Sequence, residues 1–111
     1  MRNIDKEKIY GNIWIFEVKL KSGESTHSHK HEFDHLHQVI SGKAEVTVLE
    51  SDGTFMFKKE VVSGQILRVP KNYYHSIKAL EDYHGNCIHA LRDTNGDVVE
   101  TDFIKDINIE Q

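Results

Sequence analysis

Short runs of β-branched and aromatic residues, each ended by a turn signal, constrain this chain to an all-β fold. The runs, about ten residues apart, occupy positions 13–20, 38–40, 44–49, 55–57, 61–62, 66–69, 75–80, 86–91 and 98–104. Ser51-Asp52-Gly53 and Asn95-Gly96 have the composition of hairpin turns. No stretch has a convincing helical period. The pattern predicts a sandwich or barrel of roughly eight to ten short strands.

Length, charge and cysteine content restrict the possible roles. With 111 residues, we expect one domain spanning 1–111. The net charge of −4 and the absence of a lysine run argue against a nucleic-acid partner. No apolar stretch approaches the ~20 residues that span a bilayer, and positions 1–7 lack the apolar core of a signal peptide. The single Cys87 cannot form an internal disulfide, which favours a cytoplasmic location and a buried core thiol.

Histidine is concentrated in one short tract. Five of the eight histidines fall within residues 27–37, and all five occupy odd positions. Because alternate side chains of a strand share a face, an extended tract would bring these imidazoles to one side. Neutral imidazole is the commonest protein ligand for a transition metal. The tract therefore predicts a metal site, and its alternative is a surface strand of solvated histidines.

Two sequence blocks have fixed internal spacings: the first contains this tract, and the second follows it. They read Gly23-x5-His29-x-His31-x3-His35-x6-Gly42 and Gly64-x5-Pro70-x-Asn72-x2-His75. Together they resemble the two signature motifs of the cupin superfamily, Gly-x5-His-x-His-x3-4-Glu-x6-Gly and Gly-x5-Pro-x-Gly-x2-His-x3-Asn, over residues 23–42 and 64–79. Three positions depart from the pattern: His35 replaces the carboxylate, Asn72 the internal glycine and Ala79 the final asparagine. The Asn72 change is mild, since Asn tolerates a left-handed backbone better than most residues.

The resemblance implies both a fold and a metal centre. The fold would be a single-domain double-stranded β-helix, a jelly-roll barrel. The centre would hold one divalent transition metal (Fe, Mn, Ni, Zn or Cu), with these ligands: His29, His31, His35 and His75. Some cupins carry such four-histidine sites. A shifted set of His27, His29 and Asp34 would include a carboxylate, but it breaks the spacing to Gly42 by one residue.

Other residues have two open interpretations. His37 would point into the barrel two residues past His35, as a catalytic base near the substrate or as a hydrogen-bonded core histidine. His27 is expected at the surface near the pocket mouth. His89 is expected to be a core histidine, with a position lining the barrel as its alternative. Tyr73, Tyr74, Trp14 and Phe16 are expected to serve packing rather than substrate contact.

By resemblance, the chain is expected to be a metalloenzyme of dioxygenase type that acts on a small organic molecule. A metal-dependent isomerase or lyase, and a non-catalytic small-molecule binder, are the alternatives. Small cupins commonly form homodimers, to which the strand at 13–20 could contribute.

Overall fold

The computed structural model describes residues 4–28, 30 and 32–105, with the backbone alone at 4–7 and 101–105. These residues form nine strands and no helix. The strands are β1 Ile4–Gly11, β2 Ile13–Leu20, β3 His35–Ser41, β4 Lys43–Leu49, β5 Phe55–Val62, β6 Ile66–Val69, β7 Tyr74–Ala79, β8 Tyr83–Ala90 and β9 Thr101–Lys105. Every strand pair is antiparallel. The prediction of an all-β fold is confirmed.

Two sheets share one apolar core. The larger sheet has the strand order β6-β3-β8-β2-β1-β9, and the smaller has the order β5-β4-β7. The core combines Val18, Leu20, Val39 and Tyr83 of the larger sheet with Ala44, Val46, Val48, Val61, Ile77 and Ala79 of the smaller. Since the chain crosses between the sheets after β3, β5, β6 and β7, residues distant in sequence meet across this core.

The two-residue period of a strand decides which histidines face inward. In β3, His35, His37 and Val39 are buried, whereas Leu36 is exposed. β4 buries alternate residues in the same way. The odd-position histidines of β3 therefore share the interior face, as the sequence predicts.

The motif glycines occupy turns that need a left-handed backbone. Gly23, Gly42 and Gly64 have φ angles of +91°, +90° and +91°, and Asn72 has a φ of +68°. At position 42 a side chain is also excluded by space, because a Cβ atom would overlap the carbonyl oxygen of Asp82. The fixed spacings of the two motifs thus reflect where the chain must turn.

Three details of the strand prediction are wrong. β1 lies in a charged stretch that has no alternating apolar pattern. The runs at 55–57 and 61–62 belong to the single strand β5, whose intervening charged residues lie exposed at the sheet edge. The Asn95-Gly96 turn closes only the bridge between Arg92 and Val98, and β9 pairs with β1 rather than with β8.

Among the described residues, only the end of the histidine tract lies in a strand. β3 begins at His35, and residues 26–28, 30 and 32–34 lie outside any strand. The expected contribution of the strand at 13–20 to a dimer is restricted too. β2 lies between β8 and β1, so it has no free edge for backbone pairing with a second copy. The described residues contain no helix of the length and apolarity needed to cross a membrane.

Candidate functional site

Two of the four predicted metal ligands, His35 and His75, are buried side by side between the sheets. His35 opens β3 of the larger sheet, and His75 is the second residue of β7 in the smaller sheet. They are 5% and 4% exposed, and their ring centres lie 5.4 Å apart. A metal binds imidazole nitrogen at about 2.0–2.1 Å, so two rings on one ion have centres at most roughly 6 Å apart. The observed separation and the nitrogen donors fit a shared transition-metal ion.

The other two predicted ligands, His29 and His31, lie outside the described residues. The chain before them is fixed to β7 by Thr26. Its backbone N–H donates to the carbonyl oxygen of Ile77 at 2.9 Å, and its hydroxyl oxygen accepts from the Ile77 N–H at 2.9 Å. The tract therefore starts against the strand that carries His75.

Asp34 fixes the other end of the tract to the turn that precedes β7. Its Oδ1 atom accepts a hydrogen bond from the Lys71 N–H at 2.7 Å, and its Oδ2 atom accepts one from Arg68 Nη2 at 2.8 Å. The Lys71 hydrogen bond, followed by that of Arg68, lowers the pKa of Asp34. Both carboxylate oxygens thus hold protein donors, and Asp34 is exposed, as is His27. This geometry disfavours the shifted ligand set of His27, His29 and Asp34.

Within the described residues, which leave out positions 29 and 31, no three His, Cys, Asp or Glu side chains are grouped so that they could hold a metal ion. The site as described consists of two imidazoles. The predicted four-histidine set also needs His29 and His31, which lie outside the described residues.

His89 lies beside His35, a neighbour that the sequence did not predict. β8 pairs with β3 next to this position, and the two imidazole rings are stacked with centres 4.2 Å apart and an interplanar angle of 18°. His89 is half-buried rather than a fully buried core residue. Its alternation with Cys87 in the sequence was the available signal, because it is compatible with the alternative of a side chain that lines the barrel. Its strand partner could not be read from local sequence.

Trp14 and Phe16 continue this row of rings on β2. Trp14 is the direct partner of His89 in the antiparallel register, with ring centres 5.5 Å apart. Phe16 lies 4.5 Å from Trp14 and 5.7 Å from His89, centre to centre, and meets His89 edge to face. All three side chains are half-buried. We call Trp14, Phe16 and His89 the aromatic wall.

His37 lies deeper in the same sheet and is 1% exposed. Its Nε2 atom is 2.5 Å from Tyr83 Oη, and its Nδ1 atom is 3.3 Å from Cys87 Sγ. Gly85 leaves room for this arrangement, since a Cβ atom there would lie 2.7 Å from His37 Nε2 and 2.9 Å from Tyr83 Oη. These contacts favour the alternative interpretation of His37 as a hydrogen-bonded core histidine.

Burial keeps the three groups of this cluster uncharged at neutral pH. It lowers the pKa of His37 to about 4 and raises that of Cys87 to about 12. Burial also raises the pKa of Tyr83, with a smaller contribution from Cys87. A neutral imidazole has one donor and one acceptor nitrogen, so uncharged His37 can form a hydrogen bond with each of its two neighbours. The expectation that Cys87 is a core thiol agrees with its packing against the core.

No protein-family model and no curated protein matches the chain, but solved structures do. An RmlC-like cupin family protein with a double-stranded β-helix fold, from Methanocaldococcus jannaschii, has a TM-score of 0.67 at 17% identity, over 82% of this chain and 81% of that one. KdgF from Halomonas sp. has a TM-score of 0.64 at 24% identity, over 85% and 82%. Bacillus subtilis oxalate decarboxylase has a TM-score of 0.68 at 20% identity, over 90% of this chain and 30% of its own. The chain shares the fold of these proteins.

Proposed function

We propose that this protein, which has the cupin fold, is a metal-dependent enzyme acting on a small organic molecule. One divalent transition metal would be bound by four imidazoles: His29, His31, His35 and His75. The observation that carries the proposal is the convergence of His35 and His75, which come from different sheets and lie with ring centres 5.4 Å apart. Rigid strands hold both rings, as a preorganised ligand set requires.

The anchoring of the histidine tract supports the same centre. Thr26 fixes the start of the tract to β7, and Asp34 fixes its end to the turn before β7. A segment tied at both ends beside His75 suits the delivery of two further ligands. The proposal for His29 and His31 rests on this anchoring and on the motif spacing.

Ligand chemistry narrows the metal. Imidazole nitrogen suits Mn, Fe, Ni, Cu and Zn, whereas Mg and Ca prefer oxygen. Bacillus subtilis oxalate decarboxylase, whose fold is similar, has Mn(II) centres, so manganese is among the first ions to test. A bound ion of this group supplies a Lewis acid, and a redox-active one also supports oxygen chemistry.

The remaining interior residues would orient the centre and its substrate. The aromatic wall borders His35, and the buried contacts of His37 hold the face of β3 that carries His35. The catalytic role predicted for His37 stays a prediction, because its two hydrogen-bond contacts favour a positioning role. Comparing the metal content of a folded His37→Gln variant with its turnover separates the two roles. A catalytic His37 would lose turnover at unchanged metal content, whereas a positioning one would lower both.

Metal content tests the centre directly. Protein purified without a metal-affinity column is expected to contain about one transition-metal ion per chain by elemental analysis. His35→Ala and His75→Ala should each lose most of it, because each removes a ligand. His27→Ala is the matched control: this exposed histidine of the same tract should be dispensable. A folded His35→Ala/His75→Ala double variant with undiminished metal content would contradict the proposal.

Oxygen dependence distinguishes the proposed dioxygenase-type reaction from the alternatives. The protein loaded with Fe or Mn is screened against small organic molecules, with oxygen uptake and product measured together. Turnover that stops under nitrogen supports a dioxygenase. Turnover that continues unchanged under nitrogen, or with Zn, indicates an isomerase or lyase. Metal-linked thermal stabilisation without any turnover indicates a binding protein.

We further infer a cytoplasmic location and a homodimer, on the basis of the lone Cys87 and of the motif resemblance respectively. The molar mass of the protein in solution, measured by light scattering, tests the homodimer. Because β2 has no free edge, a second copy would contact its outward side chains, such as the exposed Ile13, or another strand. A monomer at micromolar concentration contradicts the dimer.

A further inference from the structure

β2 divides into two halves that face different surroundings. Val18 and Leu20 are buried members of the core cluster. Trp14 and Phe16 are half-buried and are absent from both that cluster and the described apolar residues that pack against it. The two largest side chains of the strand's inner face therefore lie outside the described core cluster.

The register of the larger sheet places these rings next to the candidate metal centre. Trp14 is directly opposite His89, and His89 stacks on the predicted ligand His35. One row of side chains thus runs across three neighbouring strands from a ligand to an indole. Three half-buried rings, each close to the other two, therefore lie beside the buried pair of imidazoles.

We propose that the aromatic wall selects substrates that present a flat aromatic ring next to a metal-binding oxygen group. This inference rests on the proposed metal centre, which would take the oxygen donor while the ring lies against Trp14 and Phe16. Aromatic rings prefer offset-stacked and edge-to-face contacts, worth about 0.5–1.5 kcal/mol beyond the burial of their area. A saturated ring of the same size lacks those contacts, so the wall discriminates by planarity.

The test compares two acids with the same donors and different rings. The probes are benzoate and cyclohexanecarboxylate, titrated into the zinc-loaded protein by calorimetry. We expect the aromatic acid to bind about threefold to tenfold more tightly, the ratio that corresponds to the stacking contribution. Trp14 is the only tryptophan, so a single indole N–H resonance reports contact with the wall.

Variants assign the preference to the wall. Trp14→Leu and Phe16→Leu should each reduce the aromatic preference, and Trp14→Phe should retain part of it because a ring remains. Tyr10→Leu is the matched control, because Tyr10 is an exposed aromatic residue outside the aromatic wall. In the pairing of β1 with β2, Ile9 lies opposite Trp14, whereas Tyr10 lies opposite Ile13. The control should bind both acids as the wild type does. The zinc content of every variant is measured in parallel.

The outcomes for the wall and for the metal centre are separable. The proposed selectivity of the wall is contradicted if the two acids bind zinc-loaded wild type with equal affinity. It is also contradicted if the preference for the aromatic acid survives in both Trp14→Leu and Phe16→Leu. If the wild type takes up no metal, the proposed function fails, and benzoate is compared with cyclohexanecarboxylate on the metal-free protein. A shift of the Trp14 indole resonance by benzoate alone then still supports the wall, and no shift by either acid overturns it.

Discussion

His37 and Tyr83 are joined by a contact of 2.5 Å between Nε2 and Oη, which ties the polar interior of β3 to the apolar core. Tyr83 is itself a buried core residue. Either the phenol donates to Nε2 while Nδ1–H donates to Cys87 Sγ, or the thiol donates to Nδ1 while Nε2–H donates to the phenol. In both cases one imidazole links the buried phenol of Tyr83 to the half-buried thiol of Cys87.

Tyr83→Phe is therefore expected to destabilise the fold. The substitution keeps the ring but leaves one nitrogen of His37 buried without its hydrogen bond, at a cost of about 1–3 kcal/mol. Urea unfolding followed by circular dichroism measures the free energy. Tyr10→Phe is the control, because that exposed hydroxyl should matter by less than about 0.5 kcal/mol. Equal stability of the two variants would show that the His37 contact contributes nothing.

Local signals in the sequence predicted the turns and which side chains of β3 share a face. Gly42 and Gly64 were readable because a left-handed turn leaves few other residue choices. Strand parity predicted that His35 and His37 share a face, and the motif resemblance predicted that this face points into the barrel. The edge strand β5 was split in the prediction because its charged residues 58–60 look like a loop. On an edge strand, such charges are ordinary and discourage pairing with other chains.

Strand partners that are distant in sequence could not be predicted. The contact of His35 with His89 joins residues 54 positions apart, and it depends on the antiparallel register of β3 with β8. The aromatic wall has the same origin, because Trp14 meets His89 only once β2 is paired with β8. Local patterns set which face a residue occupies, and the sheet order sets its neighbours.

Gly42 offers a test that separates backbone strain from a steric clash. Gly42 and Gly53 share a φ of +90°, but only position 42 is crowded, by Asp82, whereas position 53 is open. Gly53→Ala should cost about 1–3 kcal/mol from the left-handed backbone alone. Gly42→Ala should cost more, because the Asp82 backbone must also move. Urea midpoints of the two variants give the comparison, and equal losses would contradict the clash. If Gly42→Ala does not fold, the larger cost is confirmed by that failure, provided that Gly53→Ala folds.

Glu17 is a buried carboxylate on the outer face of β2, 7% exposed. Its oxygens lie 3.0 Å from Lys8 Nζ, 3.9 Å from Lys19 Nζ and 3.4 Å from His84 Nε2. Burial alone would raise the pKa of Glu17, but the Lys8 hydrogen bond and the charges of Lys8, His84 and Lys19 together lower it. The carboxylate is thus more acidic in the folded protein than in the unfolded chain.

The lowered pKa makes the contribution of Glu17 to stability depend on pH. It is fully present above the unfolded pKa, about 4.3, and is lost as the pH falls through the lower folded value. Glu17→Gln should therefore cost about 1–3 kcal/mol at pH 7 and progressively less towards pH 3. Unfolding free energies of both proteins across this range measure the gap. A gap that stays constant or widens in acid would mean that the charge of Glu17 does not stabilise the fold.

Asp34 should influence metal binding without being a ligand. Asp34→Ala removes the acceptors for Lys71 N–H and Arg68, which frees the end of the histidine tract from the turn before His75. We expect about tenfold weaker metal binding at an unchanged limit of one ion per chain, as for other residues that orient ligands. Asp52→Ala is the matched control, because Asp52 caps the β4–β5 turn through Thr54 N–H in the same way. Competition with a chelator measures both affinities. Complete loss of the ion in Asp34→Ala would instead identify Asp34 as a ligand and support the set of His27, His29 and Asp34. A metal affinity equal to that of Asp52→Ala would show that the hydrogen bonds of Asp34 do not affect the centre.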